Sequence, residues 1–179
     1  VALADAAMRR VAWDSGERRY DEVAAEQWHQ RIEQRLADRV GGRGIRLARW
    51  VIRFADGRAQ RPGESISRLY LHELGFRSPR LQVVVIGPHG QEWALDLGLD
   101  DIPAWAEFDG ERKYTDPQML AGRTAAEAVL AEKWREDWIR GATGRSVLRW
   151  GDVHIRSAAT LAERLREFHV ALPHPRSRL

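Results

Sequence analysis

The sequence predicts an α/β protein, an α+β sandwich with helices packed on a sheet, and three observations carry that reading. Leu81–Ile86 reads as an apolar run, with Gln82 its one polar residue, as expected of a central strand covered on both faces. Gln91–Leu97 alternates, placing Trp93, Leu95 and Leu97 on one side and Glu92, Ala94 and Asp96 on the other. Thr124 with Glu127 forms a capping-box pattern, a Ser or Thr followed three residues later by Glu, that opens a long helix.

The elements follow in order. Residues 1–58 read as a helical connector or partial N-terminal domain. Ala4–Val11 is a short apolar-rich turn, and Asp21–Val40 spaces Val23, Ala24, Trp28, Ile32 and Leu36 at helical intervals before Gly41 and Gly42. Ile45–Phe54 repeats the pattern until Asp56 and Gly57 break it. His29 stands among polar residues and reads as a surface side chain. A second domain, 61–172, begins near Pro62, which suits a first helical turn, and Ile66, Leu69, Tyr70 and Leu74 mark a buried stripe that ends at Gly75. The strands Leu81–Ile86 and Gln91–Leu97 flank a turn at Gly87–Gly90, and a third strand covers Ala104–Asp109. The capped helix is expected to bury Leu130, Ala131, Trp134 and Trp138; tryptophans four residues apart read as core before they read as stacking platforms. Ser146–Trp150 returns as a strand, and a last helix carries Ala158, Leu161, Leu165 and Phe168.

Composition narrows the function classes. The chain has 179 residues, 44% hydrophobic and 31% charged, which excludes a disordered polymer. It has no cysteine, so disulfide scaffolds, thiolate metal sites and cysteine nucleophiles are excluded together. No apolar run approaches the roughly 18 residues that span a bilayer. The start, Val1–Asp5, shows neither the basic region nor the apolar core of an export signal, which predicts a cytoplasmic protein. Of 29 basic residues only Lys113 and Lys133 are lysines. Arginine's planar fork suits phosphate, but codon bias in a GC-rich genome explains the same excess. A net charge of +3 permits nucleic-acid binding without demanding it.

The central constellation comes from strand periodicity. A period of two puts Glu107 and Asp109 on one face with Phe108 on the other, and a hairpin pairing brings Asp96 to the same end. Clustered carboxylates repel one another and raise one another's pKa. Two readings stand side by side: the acids hold a divalent cation of hard oxygen preference, or they are strand-end and turn residues facing water.

Glu64, Asp96, the run Glu107-Phe108-Asp109-Gly110, Lys113 with Tyr114, Arg135 with Asp137, and Arg149-Trp150 together resemble the PD-(D/E)XK nuclease superfamily. The resemblance is to the branch similar to very-short-patch repair endonucleases, in an actinobacterial group often joined to an antitoxin-type winged helix. It covers roughly Pro62–Val170 and implies a restriction-endonuclease-like core, helix-strand-strand-strand-helix-strand. It also implies Mg²⁺ or Mn²⁺ held by Asp96, Glu107 and Asp109, with Glu64 completing the acidic shell and DNA as the partner. The superfamily's lysine two residues beyond the Glu is Asp109 here, so Lys113, six positions after Glu107, becomes the candidate catalytic cation. Lys113 reads equally as a solvated loop lysine, and Arg135 and Asp137 equally as helix-surface residues.

The resulting expectation is a metal-dependent endonuclease acting on DNA in repair, restriction or defence. The alternative is a non-catalytic module of the same fold that binds DNA or a protein partner within a regulator or antitoxin-like protein. Relief of carboxylate repulsion predicts that Glu107→Gln leaves stability little changed.

Overall fold

The computed structural model describes residues 1–14, 16, 19–39, 41–110 and 124–173. It is a mixed α/β structure with two compact units, the first built from Val1–Leu69 and the second beginning at Tyr70. Lys113 and Tyr114 lie outside the described residues.

In the first unit, α1 (Ala2–Ala12), α2 (Glu22–Ala37) and α3 (Ile45–Phe54) accompany a short hairpin of β1 (Trp13–Asp14) and β2 (Arg19–Tyr20). The apolar-rich turn expected at Ala4–Val11 is thus a full helix, and α2 stops before the glycines, three residues short of Val40. Asp21 starts α2 by accepting hydrogen bonds from the N–H groups of Val23 and Ala24. Met8, Ala12, Ala25, Trp28 and Ala55 form the core. His29 is half-buried rather than on the surface, with Nε2 2.9 Å from the carbonyl of Ile52, so it ties α2 to α3.

The helix α4 (Pro62–Glu73) runs through the boundary between the units. Its expected apolar stripe is only half-buried, and Glu64, Ser65, Ser67, Arg68 and Leu71 are the buried side chains instead. Arg68 forms an ion pair with the buried Asp5 at 3.6 Å, and burial raises the Asp5 carboxyl above its ordinary value.

The second unit contains a four-stranded sheet in the order β3 (Arg80–Ile86), β4 (Glu92–Leu99), β5 (Ala104–Phe108), β6 (Ser146–Trp150). The first two pairings are antiparallel and the last is parallel, so α5 (Ala125–Thr143) is the crossover between β5 and β6. Thr124 caps α5 and Glu127 closes the box, as the sequence predicts. A 3-10 turn, Asp152–Ile155, leads into α6 (Ala158–Glu167), whose Leu161, Ala162 and Leu165 are buried.

The apolar run Leu81–Ile86 lies at one end of this sheet, not at its centre, and Val84 and Ile86 are 50% and 55% exposed. The central place belongs to β5, whose five residues are all buried. Hydrophobicity alone misassigned the positions, because β5 carries two alanines and a glutamate that a neighbour on each side covers.

Two cores line the two faces of the sheet. Val85, Leu95 and Trp105 pack with Ile139 of α5, joined by Val83, Trp93 and Val147. On the opposite face, Leu97 and Leu148 flank Ala106, and Trp150 lies beside Phe108. Leu95 and Leu97 therefore face opposite ways, although the sequence alternation puts them together. The cause lies in the register, which runs Leu81 to Leu97 and resumes at Val83 to Leu95, omitting Gln82 and Asp96. Gln82 adopts a left-handed backbone with φ of 50°, and the alternation of both strands reverses across that point.

Candidate functional site

This reversal positions the first acid. At Asp96 the strand β4 leaves its pairing with β5, which ends at Leu97 and Ala106. The Asp96 side chain reaches β5, where its Oδ2 accepts a 2.8 Å hydrogen bond from the N–H of Phe108. Phe108 stands between Glu107 and Asp109, so the structure brings Asp96 to the strand end that carries both other acids.

Glu107 and Arg149 are side by side on β5 and β6 and share the face covered by α5. Arg149 Nη2 lies 2.9 Å from one Glu107 oxygen, and Arg135 Nη2 of α5 lies 2.7 Å from the other. Arg135 also donates to the carbonyl of Ala94 at 3.2 Å, bridging the gap that opens where β4 and β5 part. Glu132 pairs with Arg135 at 3.0 Å and also with Arg149. Glu136 and Asp109 lie 3.4 Å and 3.8 Å from the same Arg149 guanidinium. Two arginines are thus shared among four carboxylates.

The electrostatics agree with that sharing. Burial alone would lower the pKa of Arg135 and Arg149, but hydrogen bonds and charge from Glu107 and Glu132 outweigh it and hold both above their ordinary values. Burial would raise Glu132, yet the Arg149 hydrogen bond and the charges of both arginines hold it below its ordinary 4.5. Its folded pKa is depressed, so its contribution to stability is present above 4.5 and is lost as pH falls through the lower folded value. Urea titrations across that window should show Glu132→Gln with a flatter acid limb than the parent; equal limbs would contradict the pairing.

These contacts overturn two expectations. Glu107 is neutralised by two guanidiniums rather than strained by like charges, so Glu107→Gln removes favourable pairs and destabilises. The buried face of α5 is also different from the one expected. Leu130, Trp134 and Trp138 are 47%, 67% and 41% exposed, whereas Glu132, Arg135, Glu136 and Ile139 turn toward the sheet. A charged helical stripe packs inward because β5 and β6 present Glu107, Asp109 and Arg149 there. Trp138 instead donates its indole N–H to the carbonyl of Ile86 at 3.1 Å.

Glu64 belongs to the first unit, where it is buried, accepts the Gln60 N–H at 2.8 Å and adds its charge to the field at Arg9. Lys113 falls outside the described residues. Asp137 pairs with Arg140 on the helix surface at 2.5 Å, as the plainer reading of that residue has it. Glu132 and Glu136 are new members of the site; their spacing with Arg135 and Ile139 follows the helical period, a signal that a search for apolar periodicity passes over.

Among the described residues, no three carboxylate or histidine side chains stand ready to hold a metal ion. Asp96, Glu107 and Asp109 are carboxylates, the donor type a hard cation prefers. Both oxygens of Glu107 are held by arginine, so the arrangement is closed around it.

No protein-family model and no solved structure matches the chain. Two proteins of Mycobacterium tuberculosis are similar to it: uncharacterized protein MT2308 of strain CDC 1551 / Oshkosh and uncharacterized protein Rv2248 of strain ATCC 25618 / H37Rv. Each is 36% identical over 94 residues, which is 52% of this chain and 35% of the relative. The chain therefore matches about a third of the length of either relative. Among the described residues, no helix is long and apolar enough to cross a membrane.

Proposed function

We propose that the second unit is a metal-dependent endonuclease module that cleaves DNA phosphodiester bonds in the cytoplasm, serving repair, restriction or defence. The observation that carries this reading is the bond from the Phe108 N–H to Asp96, since Phe108 stands between Glu107 and Asp109. In this reading Asp96, Glu107 and Asp109 hold Mg²⁺ or Mn²⁺. A cation held there would supply charge to offset the scissile phosphate and would acidify a water for attack. Arg135 and Arg149 keep the acids neutralised and ordered, and Lys113 supplies the further positive charge that the resemblance assigns to it.

The arginine pair on Glu107 favours a second reading, a non-catalytic nuclease-fold module that binds DNA or a protein partner in an antitoxin-like regulator. Plasmid relaxation by the full-length protein separates the two. The endonuclease nicks with Mg²⁺ or Mn²⁺, and EDTA abolishes the nicking. DNA that is bound yet uncut with both metals would establish the second reading.

A further inference from the structure

We propose that the arginines around the start of α3 form a docking surface for the phosphodiester backbone of nucleic acid, bound without regard to sequence. This surface lies in the first unit and stands apart from the endonuclease reading, which concerns the second.

The sequence already separates the charge. Residues 39–55 hold five arginines, Arg39, Arg43, Arg46, Arg49 and Arg53, and no acid. With these five taken from a net charge of +3, the rest of the chain carries −2, so the basic excess of the protein sits in this run. Codon bias accounts for arginine in place of lysine but not for the missing acids. Left-handed turns at Gly41 and Gly44, with φ of 79° at each, fold the loop between α2 and α3. Arg43 thereby lines one concavity of about 780 Å³ together with Arg46 and Arg49. Arg46, Arg49 and Arg53 follow one another at i, i+3 and i+7, which is one face of the helix. The first turn of α3 holds no acid, so nothing negative is built in beside them.

These cations are also largely unpaired. Elsewhere Arg58, Arg80 and Arg149 are held by carboxylates. Arg39, Arg43 and Arg46 are exposed, and among the described residues none of the three forms an ion pair. Arg49 donates to the carbonyl of Leu36 at 3.3 Å, and only Arg53, at the far end of the row, meets an acid, Glu33 at 3.0 Å. Like charges gathered without counterions repel one another, a cost that an arriving polyanion relieves.

Nucleic acid is the polyanion whose chemistry suits this row. The planar guanidinium fork pairs with two oxygens of one phosphate. A duplex offers one negative charge per roughly 1.7 Å of its axis, so a short row of arginines finds partners in any register. A bilayer suits the row less. A helix lying on a membrane leaves its apolar face free. In α3, Ile52 packs against the core, Trp50 stacks on Phe54 at 4.9 Å, and Phe54 carries the Arg68 guanidinium over its ring. Leu47 alone of that helix's large apolar residues is widely exposed.

The test is fluorescence anisotropy of a short labelled DNA duplex titrated with the full chain over a series of NaCl concentrations. Each phosphate contact contributes about 0.9 to the slope of log affinity against log salt. Replacing Arg39, Arg43 and Arg46 together by glutamine removes three exposed side chains that hold nothing else in place. The slope should fall by about 2.7, and affinity at about 0.1 M salt should fall at least about tenfold. Lysine at the same three positions should keep the slope, since counterion release follows charge. Arg77→Gln with Arg140→Gln, taken from exposed pairs with Asp101 and Asp137, should leave it unchanged. Absence of duplex binding, a parental slope in the glutamine triple, or an equal fall in the Arg77 and Arg140 control would overturn the proposal. Tighter binding to phosphatidylglycerol vesicles than to the duplex would overturn it in favour of a membrane. Displacement of the duplex by polyglutamate as readily as by unlabelled DNA would overturn it in favour of an acidic protein. Nicking by the second unit is a separate readout, so the endonuclease reading stands or falls on its own.

Discussion

If the second unit is the proposed endonuclease, replacing Glu107 by glutamine is expected to abolish its metal-dependent nicking, and in any case to weaken the fold of that unit. Outer partners of metal ligands already carry about ten- to hundredfold in activity, so under the proposed reading, which makes Glu107 a ligand, its loss should cost roughly a hundredfold or more. The effect on stability arises separately. Glutamine still offers one oxygen, but it cannot accept charge-assisted bonds from both Arg135 and Arg149. Breaking a buried ion pair from one side costs about 3–5 kcal/mol. Glu132 remains as a partner for both arginines, so the expected loss is about 1–3 kcal/mol, the range for hydrogen bonds to charged groups. Urea denaturation measures the second effect, and nicking assayed well below the melting temperature isolates the first. Near-parental nicking by a folded Glu107→Gln protein would remove Glu107 from the proposed metal ligands.

Trp105→Ala should have the largest effect on stability alone. The indole is 6% exposed and lies in the core between the sheet and α5. Its Nε1 donates to Thr143 Oγ1 at 3.0 Å, and the Arg145 guanidinium stands 4.5 Å from the ring centroid. The ring also explains Gly98 opposite it, where a Cβ would come within 3.0 Å of the indole. Truncating a buried tryptophan costs about 3–5 kcal/mol. Typical domain stabilities are about 5–15 kcal/mol, so the variant should unfold at much lower urea or fail to fold. A loss below about 1 kcal/mol would mean that α5 does not depend on this ring.

Much of the second unit was legible in the sequence, because strand length, turn residues and capping boxes are local signals. Thr124 with Glu127, and Ser146–Trp150, sit where their residue types place them. What failed depended on neighbours. The edge position of Leu81–Ile86 follows from strand order, which no single segment contains. The inward charged face of α5 follows from Glu107 and Arg149 on other strands, while Trp134 offered the stronger apolar signal to a reader of the helix alone. Of the site, Glu107 and Asp109 could be assigned to one face by simple alternation. Asp96 was found for an incomplete reason, since its strand does not alternate regularly there. Gln82, an ordinary polar residue in an apolar run, gives no warning of its left-handed backbone.

That irregularity has an evolutionary consequence. The direction of Asp96 is fixed by a paired defect across two strands, not by Asp96 itself. A mutation to valine or isoleucine at Gln82 would favour ordinary extended backbone, since β-branched residues avoid positive φ. It would turn half the hairpin over and carry the acid away from Glu107 without touching either. Descendants that keep the acid must therefore inherit a tolerant residue at 82 with it, so the two positions drift together. A lineage that has relinquished the chemistry is free to straighten both strands, and loss of that joint constraint would mark it before the acids themselves disappear.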